Sequence, residues 1–478
     1  LTATGGPDTL ELRTPVELQG EAYATQGRFT VRAGDRVPFV LTHSLSHLPR
    51  PTPLDSEAAL ESTTMWWQAY GAQCGYRGEH EDVVRHSLMV LKALTYAPTG
   101  GIVAAPTTSL PERLGSARNW DYRFCWLRDA TFTLYALLLA GYRDEASAWR
   151  EWLLRSAAGR PQDLCVLYGV SGERIFGETQ LPWLPGYAKS APVRIGNAAA
   201  TQFQLDIYGE VIESLCLARS AGLAHHDDAW AFQRTLLDYL ASHWREPDNG
   251  IWEMRGEPQH FTHSKVMAWV AMDRAVRTAE RYKLDGAVAR WRGLRATIHR
   301  DVCARGFNPA RGTFVQHYGS NELDAALLLM PIVGFLPARD PRIVATVDAI
   351  ARELVHDGLV RRYRKHPAAD GLPEGEGAFL PCSFWLADAL ALQGHRREAA
   401  KRFARLLALR NDVGLLAEEY DPAHRMMLGN FPQALTHVAL VNTARNLAQA
   451  GGPAAHRSQP ATKRPPQGGA PASRRGKR

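Results

Sequence analysis

From about residue 80 onward, apolar positions return every three or four residues. Phe132, Tyr135, Ala136 and Leu139 stand at i, i+3, i+4 and i+7, one stripe of an α-helix. The same period predicts twelve helical stretches, at 82–95, 128–141, 143–157, 203–221, 227–245, 262–282, 286–304, 322–331, 341–355, 377–394, 396–410 and 432–449. Their connections alternate. Some are tight, such as GYRDE and QGHRRE; others (158–202, 246–261 and 411–431) are long and rich in Gly, Pro and Trp. That rhythm predicts a mainly α fold of helical hairpins closed into a ring, with the long loops gathered at one end to build a site. Residues 1–45 read differently. LELRTPVEL and RFTVRAGDRVPFVLTH alternate as strands do, with Gly and Asp at the turns. Two or three such strands are too few for a stable domain of their own. Pro49, Pro51 and Pro53 mark a linker, and SEAALESTTMWWQAYGAQC reads as a connecting helix capped by Ser56, so 46–79 joins the two regions.

Composition changes this picture little. Of the 478 residues, 45% are hydrophobic, 22% charged and 9% aromatic, which is globular. No run of about 18 apolar residues offers a membrane span. The net charge of +7 is misleading. The stretch from Gly452 to Arg478 carries seven Lys and Arg and no acid; without it, 49 Lys+Arg face 49 Asp+Glu. Residues 451–478, rich in Pro, Gly, Ala and Ser, therefore read as a basic disordered tail. The neutral body points to neither nucleic acid nor membrane as partner. The six cysteines (74, 125, 165, 216, 303 and 382) are widely spaced and form no CxxC pair. Free thiols and a start without basic and apolar leader regions give a cytoplasmic expectation. Oligomeric state is not legible.

No phosphate loop, GxGxxG, HExxH or GxSxG occurs. His225-His226-Asp227-Asp228 reads as a polar helix start rather than a metal site, and neither a metal nor a cofactor is expected. What remains is carboxylates set among aromatics and amides in the long loops, the equipment of sugar chemistry. Aromatic faces pack on a pyranose, polar groups hold its hydroxyls, and two carboxyls act as acid and base. Three segments carry this pattern. The first is NWDYRFCWLRD, 119–129, ending in an Arg128-Asp129 pair at a helix start. The second is GIWEMRG, 250–256, where a carboxyl beside Trp252 would be desolvated and held protonated, as a general acid needs. The third is GLLAEEYD, 414–421. In an extended loop Glu418 and Glu419 point opposite ways, so at most one faces the site.

These segments, with RIGNAAATQFQLDIYGE, HFTHSKVMAW, GAFLPCSFWLADAL and GNFPQALTH, resemble glycoside hydrolase family fifteen, the glucoamylase, glucodextranase and bacterial trehalase family, and its bacterial trehalase-like branch above all. The similarity runs from about Ala97 to Asn446. It implies an (α/α)6 barrel over 80–450, preceded by a β-sandwich that is only partial here, in residues 1–45. It implies inverting hydrolysis of terminal α-glucosidic bonds, with α,α-trehalose favoured over the ends of α-1,4 or α-1,6 glucans. A catalytically silent carbohydrate-binding protein on the same scaffold is the remote alternative; the presence of both Glu253 and Glu418 speaks against it. By the same resemblance Glu253 is the general acid, Glu418 the general base, and Glu419 stands behind it. Tyr122, Arg128 and Asp129 would hold the terminal glucose, and Trp120 and Trp252 would wall the pocket. Asn197, Arg255 and Lys265, with Arg194 and Gln202, complete the implied substrate contacts.

Overall fold

The computed structural model describes residues 1–174, 177–223, 227–364 and 375–448. His225, His226 and the basic tail lie outside the described residues. The chain divides into two compact units, Leu1–Gln73 and the remainder from Cys74. In the first, β1 (Thr2–Gly5), β2 (Asp8–Arg13) and β5 (Val40–Leu45) form an antiparallel sheet in the order β1-β2-β5, and β3 (Leu18–Glu21) pairs with β4 (Ala24–Gly27). The register sets Leu10 opposite His43 and Leu12 opposite Leu41. Helix α1 (Ser56–Ala72) follows. Its cap is Asp55 rather than Ser56: the Asp55 carboxylate accepts from the Glu57 and Ala58 amides at 3.0 and 3.1 Å, and Ser56 is already helical. A carboxylate at that position also meets the positive end of the helix dipole.

The second unit is an (α/α)6 barrel. Its elements are α2 (Glu81–Ala93), α3 (Leu127–Ala140), α4 (Arg143–Ser156), α5 (Asp206–Ser220), α6 (Asp227–His243), α7 (Thr262–Tyr282), α8 (Val288–Arg305), α9 (Leu329–Ile332), α10 (Pro341–Glu353), α11 (Leu380–Gln393), α12 (Arg396–Leu407) and α13 (Ala434–Ala448). Helix α3 packs on α5, α5 on α7, α7 on α9, α9 on α11, α11 on α13, and α13 back on α3. That is the inner ring. Helix α2 lies against α13, and α4, α6, α8, α10 and α12 lie against their inner neighbours. The ring is closed near its ends by a hydrogen bond from the Tyr76 hydroxyl to the Ala444 carbonyl, 3.4 Å.

Burial separates the two layers. Helix α7 is buried continuously from Thr262 to Val276, and α11 from Leu380 to Leu390, because each touches neighbours on every side. Outer α10 buries one stripe, Ile343, Thr346, Val347, Ala349 and Ile350. Most of the helices are shorter than their patterns predict, and for two the cause is visible. The stretch 322–331 becomes a 3-10 turn, Ala325–Leu328, and the single turn α9: Asp324, bridged to Tyr363, is extended, and Pro331 inside α9 has no amide for the Leu327 carbonyl. Helix α11 starts at Leu380 because Ala378 and Phe379 pair as a strand with Tyr420 and Glu419. No helix among the described residues is long and apolar enough to cross a membrane.

Candidate active site

The long loops precede the inner helices, so they converge at the N-terminal end of the inner ring. There they line a pocket of about 910 Å³, counted out to its open mouth. Glu253, Glu418, Trp120, Tyr122, Arg128, Asp129, Asn197, Trp252 and Arg255 all line it, as does Gln202. Phe132, Trp385 and Leu435 give it an apolar base.

Glu418 arrives on the loop before α13. It is 1% exposed. The Tyr122 hydroxyl donates to its Oε1 at 2.6 Å, while Oε2 has no hydrogen-bond partner among the described residues. Space for that oxygen depends on Gly429. Its φ is +75°, and a Cβ there would sit 2.6 Å from Glu418 Oε2. Burial, then the charge of Glu112, holds the Glu418 carboxyl above the ordinary carboxylate range; Tyr122 and Arg362 pull it back down. Glu419 turns the other way and lines no part of the pocket. It accepts from the Gly377 amide at 2.8 Å and faces Arg362 at 3.4 Å.

Glu253 comes from the loop before α7. Its φ is +58°, a left-handed conformation that costs an ordinary residue about 1–3 kcal/mol and persists only where the surroundings enforce it. They do so here. Gln202 Nε2 donates to the Glu253 and Met254 carbonyls at 3.1 and 3.2 Å, and Arg128 donates to the Ile251 carbonyl at 3.0 Å. Glu253 Oε1 accepts from Trp126 Nε1 at 2.6 Å and from Arg128 at 3.4 Å; Oε2 has no partner among the described residues. The indole against this carboxyl is therefore that of Trp126. Trp252 turns away, donating to Asp324 at 2.8 Å and stacking on Trp385. Asp129 lies beside Arg128 at 3.3 Å, its carboxyl raised by burial and held back by that guanidinium.

Trp120 donates to Glu112 at 2.8 Å and carries the Arg255 and Arg194 guanidiniums 4.3 and 4.7 Å from its ring. Both arginines pair with Glu178 at 2.9 Å, which leaves Arg255 on the pocket and Arg194 behind it. Asn197 caps the turn Ala198–Thr201 through the Ala199 amide. Lys265 does not reach the pocket. Buried in the first turn of α7, it sends Nζ to the Glu246 carbonyl, so the structure does not bring it together with the other implied substrate contacts.

Sequence reasoning missed several lining groups: Glu112, Arg118, Arg362, Trp385 and Gln433. Behind the pocket, oxygens of Glu112, Glu376 and Glu419 approach within 4.8 Å of one another. Two guanidiniums already occupy this donor set. Arg118 binds Glu112 at 2.7 Å and also Glu376; Arg362 binds Glu376 at 2.6 Å and faces Glu112 at 3.4 Å. Along the pocket itself, Glu112, Asp129, Glu253 and Glu418 stand against Arg118, Arg128, Arg255 and Arg362. Carboxyls and guanidiniums interleaved in this way suit a polar ligand that both donates and accepts hydrogen bonds.

Comparison with known proteins bears on this constellation. The sequence model of "Glycosyl hydrolases family 15" matches residues 78–445. A trehalase of Mycobacterium tuberculosis is 41% identical over 447 residues, 92% of this chain and 65% of its own length. One of Mycolicibacterium smegmatis is 42% identical, covering 94% and 68%, and one of Thermoplasma acidophilum 38%, covering 86% and 70%. The chain thus spans about two thirds of the length of these relatives. A bacterial glucoamylase solved with acarbose superposes with a TM-score of 0.70 at 15% identity, over 93% of this chain and 72% of that one, a likeness of fold. By the extent of the family match and the identity to these relatives, the chain belongs to glycosyl hydrolase family 15.

Proposed function

We propose that the protein hydrolyses α,α-trehalose to two glucose molecules, with inversion at the attacked carbon. The observation that carries this reading is that Glu253 and Glu418, from different loops, line one aromatic-walled pocket. Glu253 protonates the glycosidic oxygen, which leaves with the electron pair of the C1–O bond. Glu418 takes a proton from a water whose oxygen bonds to C1 on the opposite face. Tyr122 steadies Glu418, and Trp126 and Arg128 steady Glu253. Arg128 and Asp129 hold hydroxyls of the terminal glucose; Trp120, Trp252, Asn197 and Arg255 bound the rest of the disaccharide. Trehalose is favoured by the names of the relatives, trehalases 38–42% identical to this chain. The six unpaired cysteines support a reducing, cytoplasmic setting.

Incubation with trehalose, maltose, soluble starch and dextran, followed by proton NMR in the first minutes, tests both parts. Inversion on trehalose yields one β-glucose, from the attacked ring, and one α-glucose per turnover. Only α-glucose at early times would refute the acid–water–base arrangement. Glucose from starch and none from trehalose would move the substrate to glucan ends.

A further inference from the structure

The Glu253 loop is held from behind by two buried charged residues that touch neither the pocket nor each other's hydrogen-bond partners. Lys265, 1% exposed, donates to the carbonyl of Glu246, where the loop begins. Asp248, 0% exposed, accepts the amides of Leu205 and Gly250 on Oδ2 at 3.1 and 3.3 Å. Its backbone pairs with Gln259 in both directions at 2.9 Å, and its Oδ1 has no hydrogen-bond partner among the described residues. Burial pushes the lysine down and the aspartate up, and each is restored in part by the charge of the other. Three residues beyond Gly250 stands Glu253 in its left-handed conformation.

We propose that Lys265 and Asp248 are positioning residues for the general acid: together they fix the 246–250 stem so that Glu253 is delivered to the glycosidic oxygen. The inference rests on the reading of Glu253 as the acid. An ammonium donates at one end of the stem and a carboxylate accepts at the other, and their charges offset one another in a setting where either alone is poorly tolerated. Loss of one lets the stem relax and the acid retreat. Misplacement by about 1 Å costs roughly 100-fold in rate where a proton must be transferred in line.

Two leaving groups separate this role from a merely structural one. A sugar alkoxide leaves only if protonated. Fluoride leaves from α-glucosyl fluoride with the C–F electron pair and little help from an acid, while water adds to C1 and gives its proton to Glu418 as before. Lys265→Met and Asp248→Asn should lower kcat on trehalose by about 100-fold. They should leave kcat on α-glucosyl fluoride within about three-fold, with KM nearly unchanged on both. Lys265→Arg, which keeps charge and donor, should recover most of the trehalose activity. Equal losses on the two substrates, or no loss on either, would overturn the proposal. Should Lys265→Met fail to fold by circular dichroism, the isosteric Asp248→Asn decides by the same ratio. Glu253→Gln is the control. If it shows no preference for the fluoride, the reading of Glu253 as acid has failed rather than the role of its supports.

Discussion

Replacing Tyr122 with Phe removes one hydroxyl, a hydrogen-bond donor, and almost nothing else. The ring keeps its edge contact with Trp126, whose centroid lies 5.3 Å away. What is lost is the 2.6 Å bond to Glu418 Oε1, which is the side-chain donor that this buried carboxyl has. A hydrogen bond to a charged group contributes about 1.5–3 kcal/mol. At about 1.36 kcal/mol per unit, the Glu418 pKa should therefore rise by about 1–2 units above its already raised position. The sign follows from the role. A base works ionised, so activity is present above the pKa of Glu418 and falls as pH drops through it. The acid limb of kcat/KM, which reports the free enzyme, should move up by about 1–2 pH units in Tyr122→Phe. At a pH below both limbs the variant should be about 10- to 100-fold slower, and the gap should narrow as pH rises through its limb. Initial rates of glucose release across pH, in buffers of constant ionic strength, measure this directly. An unmoved limb with a uniformly lower rate would mean that Tyr122 binds sugar without tuning Glu418.

Three further outcomes are expected. Glu112→Gln removes the negative charge that helps raise Glu418, so the acid limb should shift to lower pH, opposite in sense to Tyr122→Phe. The same variant uncovers Arg118 and Arg362, and because breaking a buried ionic network costs about 3–5 kcal/mol, calorimetry should record a lower Tm. Gly429→Ala drives a carbon into Glu418 Oε2 at a positive φ; kcat should fall at least about 100-fold, and a normal kcat would show that Glu418 does not need that space. Asp129→Asn should lower kcat/KM about 10- to 100-fold through a lost charged hydrogen bond, and a wild-type value would reduce the Arg128-Asp129 pair to a helix start.

The helices were legible because outer members such as α10 and α12 carry one apolar stripe, and the tight turns between hairpins fix their order. Pocket chemistry was legible only where it sits in continuous loop segments. Tyr122, Arg128 and Asp129 share one segment, and the opposite aim of neighbouring residues in an extended chain separates Glu418 from Glu419. Trp385 could not be found this way: α11 is buried on all sides, so no contrast of polarity marks the face that meets the pocket. Nor could the network of Glu112, Arg118, Arg362, Glu376 and Glu419, whose members are brought together from three distant parts of the chain. The place of Lys265 is hidden from the sequence for a related reason. Its motif lies beside the Glu253 loop in sequence, but the first turn of α7 rotates the side chain away from the pocket.

The way the ring shuts has a consequence for how the chain could be threaded. Gly78 lies so close to the end of α13 that a side-chain carbon on it would stand 3.3 Å from the Ala448 Cβ. Start and finish of the barrel are thus near neighbours, and its helix order is cyclic in space although linear in sequence. A gene encoding the barrel from a new beginning at His395, in the exposed turn between α11 and α12, and joined from 448 to 78 by a few glycines, preserves every inner-ring contact. A chain stopped before Ala434 keeps eleven helices in register yet leaves α3 and α11 facing an open seam. Circular permutation should be tolerated where loss of the fifteen-residue α13 is not, because the barrel requires closure and is indifferent to where the closure begins.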